Sequence, residues 1–394
     1  MHILNPPKLS GMLANVAGIL PLSALIDFTD AEQALHWYQL SGRGMMWNWV
    51  ITPACARLLA SHDGTRACWL DQGSAVIPLI CLDGRWGDVY PCSSPSTVRA
   101  CMGVAALKKI DLPPREGGGY RPQRLRIILV SRAESEKKKG LFRDKPGWYW
   151  AIISVFGWVA FLAALVTTVL AGLYIAASYL IVLLLTGVVM RFLYGSRARQ
   201  IAASQPPHFR RLVVATDNFN GDEWTAFIGL NSLVNPLLNR PLQPIKPPTH
   251  PRLLQWLLFI LVALQWGLTI TVCAYQDWNA FVVFAWIALC GLTSLFLYGE
   301  HASTKSWLES NGLRLERTEE EVELSCRRSM LSLLVALNPD KSIDTSTKWI
   351  DPILAPSEDR TAWEAALRDC LNKDQWEENI QACSVSGLLF HPRC

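Results

Sequence analysis

The chain has 394 residues, of which 51% are hydrophobic and 18% charged, and its formal net charge is +4. That length leaves room for more than one domain, and so small a positive balance gives no reason to expect a nucleic-acid partner. The charges are also too unevenly spread for an ordinary water-soluble globule: residues 146–190, 253–276 and 278–299 hold no Asp, Glu, Lys or Arg.

Residues 1–145 read as an amino-terminal cytosolic domain of mixed α/β structure. Leu9 to Ile26 is uncharged but interrupted by Asn15 and Pro21. It lacks the basic start and small-residue exit of a signal peptide. We read it as a buried helix of the cytosolic domain, with a membrane-embedded or interfacial helix as the alternative. Met45 to Leu59 contains Arg57 and several aromatics and reads as globular. Ser74 to Leu82 suits an edge strand because of Pro78, and Asp83-Gly84 is a turn. Thr97 to Lys109 suits a helix with Val98, Cys101, Met102 and Ala105 on one face. Residues 113–122 form a Pro/Gly linker before a strand-like run, Arg124 to Val130.

A bilayer core of about 30 Å needs roughly 20 apolar residues. Residues 146–195 therefore predict a first transmembrane hairpin. Trp148-Tyr149-Trp150 sits at headgroup level, a small-residue turn lies at Ala171-Gly172, and Tyr194 marks the exit. Arg191 can extend its guanidinium to the interface. Ala160 with Ala164, and Gly172 with Ala176, have the spacing of close helix contacts. Residues 252–299 predict a second hairpin turning at residues 276–279. Both hairpins end on Phe-Leu-Tyr-Gly, at 192–195 and 296–299, which hints at duplication, although little else matches. The fold class expected is an α-helical multi-pass membrane protein of two hairpins, four helices in all, with mixed α/β cytosolic segments.

Basic residues set the orientation. Arg132, Lys137, Lys138, Lys139, Arg143 and Lys145 precede the first hairpin; Arg191, Arg197, Arg199, Arg210 and Arg211 follow it. Arg240, Lys246 and Arg252 precede the second, and the two turns carry none. Termini and long polar segments are thus expected in the cytosol, a reducing compartment where the 11 cysteines, without a C-x-x-C pair, read as single structural thiols.

Residues 196–251 should hold a β-hairpin, Arg211 to Thr216 and Trp224 to Gly229 joined at Asn220-Gly221, followed by a Pro-rich tether. Residues 300–394 read as a helical domain. Thr318-Glu319-Glu320-Glu321 and Thr361-Ala362-Trp363-Glu364 look like capping boxes, the first opening a helix that Pro339 ends. Trp376, Ile380 and Cys383 share a face of a third helix.

Phosphate loops, dinucleotide fingerprints, nucleophile elbows and H-E-x-x-H are missing from the chain. The seven histidines never fall within five residues of one another, so no local metal site is legible, and neither a metal nor a cofactor is expected. Asp217, Asn218, Asn220, Asp222 and Glu223 are dense in oxygen ligands, yet a hairpin tip wants the same residues. Asp217, Asp222 and Glu223 are the catalytic candidates. His208 and Arg211 could hold an anionic group, though they also serve topology. Gln265 and Thr269 form an i, i+4 polar pair inside the second hairpin, suited to helix contact or a ligand. The spans lack the deep ionisable groups of ion-coupled transporters.

Arg211-Leu-Val-Val-Ala-Thr, Trp224-Thr-Ala-Phe-Ile-Gly and Leu237-Leu-Asn-Arg-Pro-Leu resemble segments of uncharacterised multi-pass membrane proteins of filamentous fungi, about a tenth of the chain. The resemblance implies no activity or site residues, only a setting near secondary-metabolite pathways. The resulting expectation is a non-catalytic anchor or accessory protein contacting membrane lipid and binding partners through its cytosolic domains. The alternative is a membrane-embedded cyclase- or isomerase-like enzyme acting on a lipidic or terpenoid intermediate.

Overall fold

A computed structural model describes residues 7, 9–27, 31–42, 44–50, 68–71, 77–104, 123–133, 148–195, 199–201, 209–244, 250–317, 322–324, 326–339 and 347–371. The helices are α1 Gly11–Ala17, α2 Leu20–Asp27, α3 Ala31–Ser41, α4 Pro95–Val104, α5 Trp148–Leu170, α6 Tyr174–Met190, α7 Asn231–Leu238, α8 Pro251–Tyr275, α9 Trp278–Leu297, α10 Glu300–Ser310, α11 Arg327–Leu337 and α12 Glu358–Leu371. The strands are β1 Ile80–Asp83, β2 Val89–Pro91, β3 Gln123–Arg132, β4 Arg199–Gln200, β5 Arg210–Thr216, β6 Glu223–Leu230, β7 Gln243–Pro244, β8 Leu313–Arg317 and β9 Val322–Leu324. They divide into two compact units: Met1–Ser74, Ser135–Gln200 and Gln243–Trp307 in one, Ala75–Glu134, Ile201–Leu242 and Leu308–Cys394 in the other.

The first unit is helical. Ala151–Leu170, Tyr174–Tyr194 and Pro251–Tyr275 are long and apolar enough to cross a membrane, while Trp278–Ser294 is a shorter apolar stretch. Their sequences explain the helices: apolar runs with no interior proline, α8 opened by Pro251 in its first turn, where a missing N–H costs nothing. Asp277 caps α9 by accepting from Asn279 N at 2.9 Å. The side chain of Asn279 in turn accepts from Ala176 N at 3.0 Å, so the turns before α6 and α9 lie at the same end of the bundle.

Two sequence expectations change here. Residues 9–27 do not pack as a helix of the sheet-bearing domain. They form α1 and α2, broken at Gly18-Ile19, and α2 packs against α8 and α9. Met12, Ile19 and Ile26 point outward, so the segment behaves like the apolar helices it lies on. The described part of Met45 to Leu59, residues 45–50, is not a separate globular element either; it threads without helical structure among the long helices.

The second unit is a mixed seven-stranded sheet of order β2-β1-β5-β6-β3-β8, with β9 also on β3. Among the described strands only β3 and β6 run parallel. Both faces of its centre are covered, as the continuous burial of Leu212 to Thr216 and Trp224 to Gly229 requires. One face packs Leu125, Leu212, Val214, Trp224 and Ala226 against Met330, Leu334, Trp349 and Trp363 from α11, residues 348–350 and α12. The buried Val234 and Leu237 of α7, which packs on β3, β5 and β6, lie outside that core and serve the other face.

The hairpin of β5 and β6 and the strand at 124–130 form as expected, with differences at the edges. Residues 217–222 connect β5 to β6, not a two-residue turn, and the single proton of the Thr216 hydroxyl is shared between Asn218 O and Glu223 O, each at 3.0 Å, which holds the longer connection closed. The strand near Pro78 begins only at Ile80 and sits between β2 and β5, leaving β2 as the edge. The helix expected at 97–109 runs from Pro95 to Val104, and residues 105–122 lie outside the described ones. The carboxyl-terminal tail is not all helical: Leu313–Arg317 and Val322–Leu324 pair with β3, about half the chain length earlier. The capping box at 318–321 lies outside the described residues, but the next three residues are strand and the helix opens at Arg327. Thr361 lies inside α12, which opens three residues earlier, and its hydroxyl donates back to Ser357 O at 3.1 Å. Trp376, Ile380 and Cys383 lie outside the described residues.

Candidate functional site

In the helical unit, the non-helical segment from Gly44 to Val50 occupies the interior. It fits because glycines stand at its close contacts: its own Gly44 lies under the Tyr38 ring, Gly157 of α5 under the Trp47 indole, and Gly187 of α6 against the Met46 main chain. Trp47 is fully buried, edge-on to Trp286 at 6.1 Å, and Phe161 meets Trp286 at 5.5 Å.

Polar side chains meet this segment's main chain and amides. Gln265 Nε2 donates to Thr186 Oγ1 at 2.8 Å and to Trp49 O at 3.2 Å. Asn48 Nδ2 donates to Thr293 Oγ1 and Ser294 Oγ, each at 3.1 Å. Thr269 donates to Gln265 O of its own helix at 2.8 Å, so the i, i+4 pair of the sequence divides into one bridging residue and one helix-bonded hydroxyl. Gln265 Oε1, Asn48 Oδ1 and the indole nitrogens of Trp47 and Trp286 are buried without a protein partner among the described residues. The interior thus combines an aromatic floor with unused donors and acceptors.

A second constellation lies in the same unit. His36 of α3, Cys68 and Asp71 bring three ligand-type atoms within 4.8 Å of one another. Leu70 N donates to His36 Nδ1 at 3.3 Å. Burial, assisted by the field of Arg199, lowers the His36 pKa to about 3, so the ring is neutral. Burial raises that of Cys68, with Arg199 opposing and Asp71 adding to the rise.

The other sequence candidates fall in the sheet unit. Arg211 Nε pairs with the fully buried carboxylate of Asp83 at 2.8 Å, and its Nη1 donates to Asn231 and Asn235. Burial opposes its charge, but the bond to Asp83 outweighs that and the pKa is raised. Asp217 is exposed and pairs with Arg99 at 2.7 Å. Glu223 is half exposed, 3.8 Å from both Arg124 and Arg126. Asp222 presents its carbonyl to Arg124 N at 2.7 Å. The three acids thus lie at or beside the connection between β5 and β6. Gln265 and Thr269 belong to the other unit, and His208 lies outside the described residues.

Sequence reasoning missed Trp47, Asn48, Asp83 and the His36–Cys68–Asp71 group. None stands at a diagnostic spacing, and only the uncharged interval before Arg57 hinted that residues 44–50 could enter an apolar bundle. No protein-family model matches this chain, and no curated protein or solved structure matches it.

Proposed function

We propose that the chain is a multi-pass integral membrane protein acting as an anchor, its helical unit in the bilayer and its sheet unit presented to partner proteins on the cytosolic side. The supporting observation is the inverted polarity of the helices. Val155, Phe156, Val159 and Leu162 of α5, and Leu253, Trp256, Ile260 and Leu264 of α8, are exposed, whereas Gln265, Thr269, Thr186 and Asn48 are buried. In water such an outer face would cost about 25 cal/mol per Å², while a bilayer removes that cost. Non-helical backbone is tolerated at membrane depth where protein encloses it, as at residues 44–50.

On this reading α5, α6, α8 and α9 are crossings and the amino-terminal segment is a fifth. Trp278 Nε1, at the start of α9, donates to Pro7 O at 2.7 Å. Tyr38 packs on Trp49, and Trp49 on Tyr298 at the other end of that helix. The 20 residues of α9 rise about 30 Å between those points. Pro7 then lies on the side of the hairpin turns, opposite the cytosol.

The test is glycosylation mapping in microsomes, with an acceptor on a flexible linker placed before Pro7 or after Gly195. We expect a glycan only on the first and retention of the chain after alkaline carbonate washing. Release by carbonate would sink the membrane reading. An unmodified acceptor before Pro7, beside a modified one in the Ala171-Gly172 turn, would sink the fifth crossing.

A further inference from the structure

We propose that His36, Cys68 and Asp71 bind one divalent transition-metal ion of the zinc class, through His36 Nδ1, Cys68 Sγ and an Asp71 carboxylate oxygen. The donors come from α3 and from a single turn at residues 68–71, and they lie within 4.8 Å of one another. Tetrahedral zinc ligands stand roughly 3.5 Å apart, so side-chain rotations of about 1 Å close the site. Imidazole, thiolate and carboxylate together favour zinc over calcium or magnesium, which take oxygen alone.

The hydrogen bond at His36 shows which ring nitrogen faces the turn. Leu70 N donates to Nδ1 at 3.3 Å, so Nδ1 carries the lone pair, and it faces the turn that holds Cys68 and Asp71. A bond that long is readily exchanged for a metal bond. Trp37 packs edge-on against the imidazole at 5.3 Å and limits its rotation. His36 and Cys68 are buried, while Asp71 is half-buried, which leaves a fourth position for water on its side.

Charge favours a cation, and the ligand types select a divalent one. Binding displaces the Cys68 proton, so thiolate and carboxylate supply two negative charges. Arg199, buried and close enough for its field to reach both His36 and Cys68, offsets one of them. The negative charge that remains attracts a cation, and imidazole with thiolate selects a borderline-soft divalent ion over sodium or potassium.

The test uses the full chain, purified in detergent without chelator and incubated with zinc or cobalt(II). We expect about one equivalent of zinc per chain after desalting, and a thiolate-to-cobalt charge-transfer band in the near ultraviolet. Cys68→Ser should remove the band, and His36→Gln and Asp71→Asn should each weaken zinc binding at least tenfold. Cys326→Ser, a change at a thiol of the sheet unit, should leave both readouts unchanged. Cobalt binding to the unmodified chain does not depend on whether any variant folds. Wild-type protein without a stoichiometric metal or without the band overturns the proposal, as does a band that survives in Cys68→Ser.

Discussion

The main chain of Met46 packs directly against the α-carbon of Gly187, leaving no room for a side chain between them. Gly157 meets the Trp47 indole in the same way. Two glycines, on α6 and α5, thus admit a non-helical segment into the middle of a helical unit. Gly187→Ala or Gly157→Ala should cost about 1–3 kcal/mol through overpacking. The readout is a lower Tm of the detergent-solubilised chain. Gly267→Ala, on α8 with open space around it, should be neutral or stabilise by up to about 1 kcal/mol. A Gly187→Ala chain melting with the wild type would mean that residues 44–50 do not insert there.

Gln265 joins α6, α8 and the inserted segment through one amide nitrogen. Gln265→Leu keeps the volume and loses both bonds, so a loss of about 1–2 kcal/mol is expected. Thr269→Val, which removes only a bond to its own helix, should stay within about 0.5 kcal/mol. Equal effects of the two substitutions would contradict the bridging role.

The pair Asp83–Arg211 ties β1 to β5, with Asp83 also accepting from Arg85 N and Trp86 N at 3.2 Å. Arg211→Met strands a buried carboxylate and should destabilise the sheet unit by about 3–5 kcal/mol. Asp83→Leu combined with Arg211→Met should cost less than the sum of the single changes, measured as a coupling energy in denaturant unfolding.

Asp217, Asp222 and Glu223 distinguish the anchor from an enzyme acting on a lipidic intermediate. Alanine at Asp217 or Glu223 should change stability by less than about 1 kcal/mol, since their ion pairs are exposed. In the source cell, the triple alanine chain should restore whatever metabolite profile a deletion alters. A profile that stays at the deletion state, with the triple variant at normal abundance, would favour the catalytic role.

The apolar helices and the paired strands β5 and β6 were legible because their determinants are local: an uncharged run of membrane length, and short β-prone runs on either side of an Asn-Gly signal. The misreadings share the opposite property. The tail after Gly299 looked helical, with a capping box at Thr318-Glu319-Glu320-Glu321, yet Leu313–Arg317 and Val322–Leu324 complete the sheet beside β3, a partner nearly two hundred positions earlier that no local pattern announces. The single role of Gln265, against the ligand pair expected with Thr269, depends on Trp49 and Thr186, both remote in the chain.

By itself, the sequence determined that this protein has long apolar helices flanked by basic segments, because hydrophobic periodicity and charge are properties of short windows. Only the tertiary structure decided what fills the helical unit, which residues lead from one end of α9 to the other, and that His36 meets Cys68 and Asp71. Those outcomes rest on close approaches between distant segments, where a missing Cβ at Gly157 or Gly187 matters more than any local propensity.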